Sequence, residues 1–167
     1  MLSFIKKAGS FIEHLSDVSG WLGSSFIVIM IPLISYEVLM RYVFNNAPMV
    51  ADEFSAYLLV ACVFIGLAYT MKERGHIRVE VVTSRIRPQA ANWLKLITLL
   101  VASGVAVILF ITSFEFVQSS IRLGLKSESW LQVPEYIPKI ALPVGFFLFF
   151  WQLLVEVGKT IKSLRMP

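Results

Sequence analysis

The chain has 167 residues, of which 57% are hydrophobic and 16% are charged, and its formal net charge is +4 at pH 7. Soluble domains average about a quarter charged residues, so this chain has too few polar side chains to cover a water-facing surface. Because nearly half of it lies in long apolar runs, the remainder is too short for a soluble catalytic domain.

Four runs contain no charged residue: Val18–Tyr36, Phe54–Met71, Leu96–Phe114 and Ile140–Val155. At the rise of an α-helix, eighteen residues span about 27 Å, close to the hydrocarbon thickness of a bilayer. The runs lack the polar alternation of transmembrane strands. The sequence therefore predicts an all-α integral membrane protein with four transmembrane helices in one domain, at about residues 18–44, 51–71, 89–121 and 137–157.

The segment before the first run has a helical period. Its apolar positions are Phe4, Ile5, Ala8, Phe11, Ile12, Leu15 and Val18. Charged residues occupy the opposite face, so the pattern predicts an N-terminal amphipathic helix in the headgroup layer, which bends at Gly20 and Gly23 into the first crossing. The alternative is that this helix continues without a break and packs on its neighbours.

Ionisable residues gather where the first span ends and the second begins. Glu37 and Arg41 are four positions apart, in the order that favours a helical ion pair. A charged group in a span is costly, which makes Glu37 the strongest candidate for a proton or sodium relay, although its place near the end of the span favours the pair.

Asp52 and Glu53 follow a turn at residues 45–48. They are candidate ion ligands, or charges that stabilise the positive end of the second helix, and we favour the second interpretation.

The third helix is predicted to be long. Pro88 is suited to a first turn, and about 34 residues from Gln89 to Arg122 would form a helix of roughly 50 Å, which must tilt or project from the bilayer. The segment before it, which contains His76, alternates polar and apolar residues. That pattern leaves a strand-like stretch, an interfacial helix and a loop as alternatives.

Basic residues are distributed unequally between the two sides. The segments before the first span, between the second and third, and after the fourth hold 11 of the 15 Lys and Arg residues. By the positive-inside rule, both termini face the cytoplasm. This topology accounts for the positive net charge without nucleic acid as a partner.

The sequence offers no residues for catalysis or for a cofactor. Cys62 is the single cysteine, which excludes a disulfide-forming enzyme, and the two histidines, His14 and His76, lie outside the spans, where they cannot ligate a membrane haem. No glycine-rich phosphate loop or metal-ligand cluster is present. We therefore expect no enzyme activity, cofactor or metal.

Several short motifs resemble one transporter family in their order and spacing. They are Arg41-Tyr42-Val43-Phe44, Pro48, Asp52-Glu53, Phe64-Ile65-Gly66-Leu67-Ala68 and His76-Ile77-Arg78-Val79-Glu80. Together with the four spans, they resemble the small membrane subunit (Q-type, DctQ-like) of tripartite ATP-independent periplasmic (TRAP) transporters. The chain departs from that pattern at Val50, where the family often has tryptophan, and at Asp52, which replaces a common glutamate.

The resemblance implies a division of labour in a bacterial inner membrane. A periplasmic binding protein captures an organic acid, such as sialic acid or a C4-dicarboxylate, and a large membrane subunit transports it with sodium. The small subunit is a scaffold that binds the large subunit stably and contacts lipids. The motif residues Arg41, Asp52, Glu53 and His76 are then structural, lipid-contacting or subunit-contacting.

Small residues mark candidate contact faces, because membrane helices pack through them. Gly66 with Ala68, and Gly104 within the stretch 102–106, are predicted to meet the large subunit. The alternative function is a self-sufficient four-helix drug or cation transporter that acts as a homodimer around a membrane glutamate. The position of Glu37 toward one end of its span disfavours that alternative.

Overall fold

The computed structural model describes residues 2–46, 49–73, 88–129 and 131–165. The helices are α1 (Leu2–Tyr42), α2 (Val50–Lys72), α3 (Pro88–Arg122), the short α4 (Tyr136–Lys139) and α5 (Ala141–Arg165). Within these ranges the only extended pairing is an isolated bridge between Lys126 and Pro134. Four helices are long and apolar enough to cross a membrane, which confirms the all-α fold class.

The four long helices form an open row. α1 packs on α2, α2 packs on α5, and α5 packs on α3, whereas α1 and α5 touch only lightly. α1 and α3 therefore lie at the two edges. Only 11% of the apolar window of α1 and 22% of that of α5 is buried inside the chain. Most of the apolar surface is consequently left for lipid or for another protein.

The amphipathic start of α1 is continuous with the first span. α1 is a single helix that passes through Gly20 and Gly23. Its polar side faces the neighbouring helices, where Asp17 pairs with Lys72 and Glu13 pairs with Lys159 at 2.8 Å. These contacts hold the segment against α2 and α5, as in the alternative of an unbroken, packed helix, and its position in the headgroup layer stays a prediction.

The predicted start and length of the third helix are confirmed. α3 begins at Pro88 and has 35 residues, a length of about 52 Å. A small hydrophobic core joins it to the central helices through Met71, Leu99, Ala106 and Leu153. The segment with His76, for which the sequence left three alternatives, lies outside the described residues.

Candidate functional site

Glu37 is buried between α1 and α2, with 4% of its surface exposed. Arg41 Nη2 donates a hydrogen bond to Glu37 Oε1 at 2.7 Å, which confirms the predicted pair. The backbone N–H of Ala51 donates to the other oxygen, Oε2, at 2.6 Å. Both carboxylate oxygens are thus occupied by groups of the chain itself.

The second contact shows which carboxylate stabilises the start of α2. Met49 precedes the helix in a left-handed conformation (φ 55°) and makes no side-chain cap. Asp52 and Glu53 lie in the first turn, as expected, but the free N–H group of Ala51 is satisfied by Glu37 of α1. Asp52 instead lies 3.4 Å from Arg41. The cap across the turn was not predicted, because it depends on how α1 and α2 meet.

Glu53 fastens the connection between α3 and α4 to α2. The Tyr57 hydroxyl donates to one of its oxygens, and Ser129 Oγ donates to the other at 2.5 Å. Ser127 and Ser129 share a further hydrogen bond of 2.9 Å. The sequence analysis did not identify these serines, since no local pattern indicates that Ser129 contacts Glu53, a residue 76 positions earlier.

The Phe64–Ala68 motif is the place where α2 crosses its two neighbours. Ala68 is fully buried, and a Cβ on Gly145 of α5 would overlap the carbonyl group of Phe64. On the other side, a Cβ on Gly23 would lie 3.4 Å from the carbonyl oxygen of Cys62. Packing within the chain therefore uses much of this small-residue face, while a Cβ on Gly66 would meet nothing within 4 Å.

The small residues of α3 divide between two faces. Ser103 and Ala106 are buried, with 8% and 1% of their surface exposed, and Ala102 packs against the same core. Gly104 is exposed, and a Cβ there would meet nothing within 4 Å. Of the small residues in the stretch 102–106, Gly104 is therefore the one that is exposed to a partner.

A second buried carboxylate, Glu156 of α5, was missed in the sequence. Its side chain is 4% exposed and lies 2.8 Å from Lys159 Nζ and 3.6 Å from Lys95 Nζ of α3. Because Lys159 also pairs with Glu13 of α1, this network joins both edge helices to α5. One turn before it, Gln152 is fully buried and accepts a hydrogen bond from Ser16 of α1 at 2.9 Å.

These polar groups hold helices together. Where an ionisable side chain is buried in a described span, as at Glu37 and Glu156, it is paired with a cation of the chain. The described residues contain no group of three or more His, Cys, Asp or Glu side chains placed to hold a metal ion. Cys62 is a free, half-buried thiol.

Comparison with known proteins relates the sequence to components of one transporter family. Residues 30–163 match the family described as tripartite ATP-independent periplasmic transporters, DctQ component. The chain is 23% identical over 167 residues to the isethionate TRAP transporter permease protein DctMQ of Oleidesulfovibrio alaskensis, covering 90% of this chain and 26% of that protein. It is 31% identical over 74 residues to a protein of Haemophilus influenzae assigned as a TRAP transporter small permease protein, covering 44% and 46%.

The chain thus spans about a quarter of the first relative and less than half of the second. The family match covers both the Glu37 and the Glu156 contacts. The chain belongs to the DctQ component family of TRAP transporters.

Proposed function

We propose that this chain is a scaffold that binds the large membrane subunit of a TRAP transporter and holds it in the bilayer during substrate uptake. The observation that carries the proposal is the open row of helices, whose apolar faces are mostly unburied while its buried carboxylates are paired internally. A relay needs a titratable group that can exchange its partner, whereas the partners of Glu37 come from the same hairpin.

The fused relative supports the choice of partner. Its name, DctMQ, joins two components in one polypeptide, and the present chain aligns to only 26% of it. A small component that is covalently joined to a larger one in a relative is expected to bind a separate large subunit here.

The proposal places the chain in a bacterial inner membrane with both termini in the cytoplasm, since most Lys and Arg residues lie in the segments on that side. Uptake is coupled to sodium, and a periplasmic binding protein delivers an organic acid. Sialic acid and C4-dicarboxylates are the substrates to test first.

Reconstitution in proteoliposomes tests the function. The large subunit is inserted with or without this chain, and uptake is measured with the loaded binding protein under a sodium gradient. We expect uptake only when both subunits and sodium are present. Full uptake without the chain contradicts a scaffold role, and drug efflux by the chain alone supports the homodimeric transporter instead.

Replacement of Glu37 separates packing from ion coupling. Glu37→Gln weakens charge-assisted hydrogen bonds to Arg41 and Ala51, so we expect a loss of about 1.5–3 kcal/mol in the free energy of unfolding and normal sodium-coupled uptake per folded complex. Unfolding in detergent and uptake are measured on the same preparations. Glu115→Gln, at an exposed position of α3, is the control for stability. A stable Glu37→Gln complex that has lost sodium coupling identifies Glu37 as a relay.

Gly104 tests the contact face on α3. We propose that a helix of the large subunit approaches closely here, because Gly104 is exposed and a Cβ there would meet no described atom of a neighbouring helix within 4 Å. Gly104→Leu is expected to reduce co-purification with the large subunit severalfold without changing the stability of the isolated chain. Gly158→Leu, at an equally open position of α5, is the matched control. An unchanged complex yield for Gly104→Leu rejects this face.

A further inference from the structure

A groove of about 310 Å³ runs between α1 and α5, on the surface that the row of helices leaves open. Its walls include Phe11, Leu15 and Ser16 of α1 and Phe147, Leu148 and Trp151 of α5. We call this the α1–α5 groove. It exists because α1 packs mainly on α2, so that α1 and α5 flank an opening instead of closing on each other.

The floor of the groove is fixed by polar contacts. Ser16 Oγ donates to Gln152 Oε1 at 2.9 Å, and both residues are buried. Asp17, next to Ser16, pairs with Lys72, and the charge-free run of α1 begins at Val18. The groove therefore lies beside the point where the charge-free run of α1 gives way to charged residues, which is where headgroups are expected.

The charges beside the groove favour an anionic ligand. The acidic side chains beside the groove are paired, Glu13 and Glu156 with Lys159 and Asp17 with Lys72. Lys162 is exposed and makes no hydrogen bond or ion pair with any residue that the structure describes. It follows Trp151 by three helical turns on the same face, a separation of about 16 Å.

Gly158 lies between Trp151 and Lys162 on that face. A Cβ at this position would meet nothing within 4 Å, so no described side chain covers this point of the surface. An apolar groove that leads over a glycine to a lysine with no partner among the described residues is complementary in shape and charge to an anionic phospholipid. Basic residues at the membrane surface favour anionic headgroups.

We propose that the α1–α5 groove holds one acyl chain of a phospholipid, whose phosphate is bound by Lys162. The bound lipid fills the opening between α1 and α5, and its affinity exceeds that of the lipids that surround the other exposed helices. This site is independent of the proposed scaffold function, since it is built from this chain alone.

Photolabelling tests the site in the assembled protein. The chain and the large subunit are reconstituted in phosphatidylethanolamine vesicles that contain a trace of phosphatidylglycerol with a diazirine on its acyl chain. Labelled residues are then located by mass spectrometry. We expect labelling to concentrate on Trp151 and Phe11 relative to Trp21, which is 77% exposed on α1 but lies outside the groove.

Two variants make the test specific. Lys162→Glu is expected to reduce groove labelling about fivefold or more, as expected for loss of one basic contact near the surface, whereas Lys126→Glu in the α3–α4 connection leaves it unchanged. Leu15→Trp, at a partly exposed position of the groove wall, fills the groove and also reduces labelling.

Equal labelling of Trp151 and Trp21, or no effect of Lys162→Glu, overturns the proposal. Groove labelling that occurs in the chain alone and disappears in the complex also overturns it, because the large subunit then covers the groove. That last result leaves the scaffold function intact. Failure of the two subunits to co-purify, with groove labelling retained in the chain alone, rejects the scaffold and supports the lipid site.

Discussion

Replacing Gly145 by alanine is expected to destabilise the row of helices by about 1–3 kcal/mol, the usual cost of overpacking. A Cβ at this position would overlap the carbonyl carbon and oxygen of Phe64 and lie 2.9 Å from its Cβ. Backbone atoms cannot turn aside as a flexible side chain can, so α2 and α5 must separate. The free energy of unfolding in detergent, measured by titration with a denaturing detergent, reports this cost.

Gly158→Ala is the matched control for Gly145→Ala. Both glycines lie in α5, but an added Cβ at Gly158 would meet nothing within 4 Å. Because alanine favours the helix more than glycine by about 1 kcal/mol, the control is expected to be neutral or stabilising. Equal effects of the two substitutions would show that Gly145 does not set the distance between α2 and α5.

Glu156→Gln is expected to lower the free energy of unfolding by about 1.5–3 kcal/mol, the usual cost of weakening hydrogen bonds to a charged group. It weakens the charge-assisted contacts of a carboxylate that is 4% exposed, whereas its partners Lys95 and Lys159 are 28% and 49% exposed and stay partly solvated. We expect a lower free energy of unfolding and a weaker attachment of α3, the helix at the edge of the row. The second substitution Lys95→Met, added to Glu156→Gln, is expected to recover part of the loss.

Glu13→Gln provides the comparison for Glu156→Gln. Glu13 belongs to the same network through Lys159, but its side chain is 34% exposed and hence partly solvated. Its substitution is expected to cost less than about 1 kcal/mol, as for other exposed pairs. If both variants unfold alike, burial of Glu156 does not determine the strength of the network.

Local features could be predicted from the sequence. The ion pair of Glu37 with Arg41 follows from four-residue spacing within one helix, and Pro88 indicates where α3 begins. The number of long helices, four, follows from the number and lengths of the charge-free runs. Each of these predictions depends on residues that are close together in the chain.

Contacts between helices could not be predicted in this way. In the spans, apolar side chains face both lipid and protein, so hydrophobic periodicity does not mark the packing face as it does in a soluble protein. The pairing of Glu156 with Lys95, and the approach of Gly145 to Phe64, depend on how α5 is rotated against α3 and α2. For the same reason, the sequence favoured an interfacial position for the amphipathic start of α1 over packing on its neighbours. Its polar face proved to be the packed one.

The proposed scaffold role requires that these four helices remain one fixed body while the large subunit moves. Spin labels at Tyr42 and Arg122, exposed residues at the ends of the two edge helices, measure this in a Cys62→Ala background by electron–electron distance spectroscopy. A label pair on the large subunit serves as the control for its motion. We predict the same Tyr42–Arg122 distance distribution with and without sodium and loaded binding protein, while the control pair shifts. A shift of the Tyr42–Arg122 distance that accompanies transport would contradict the scaffold.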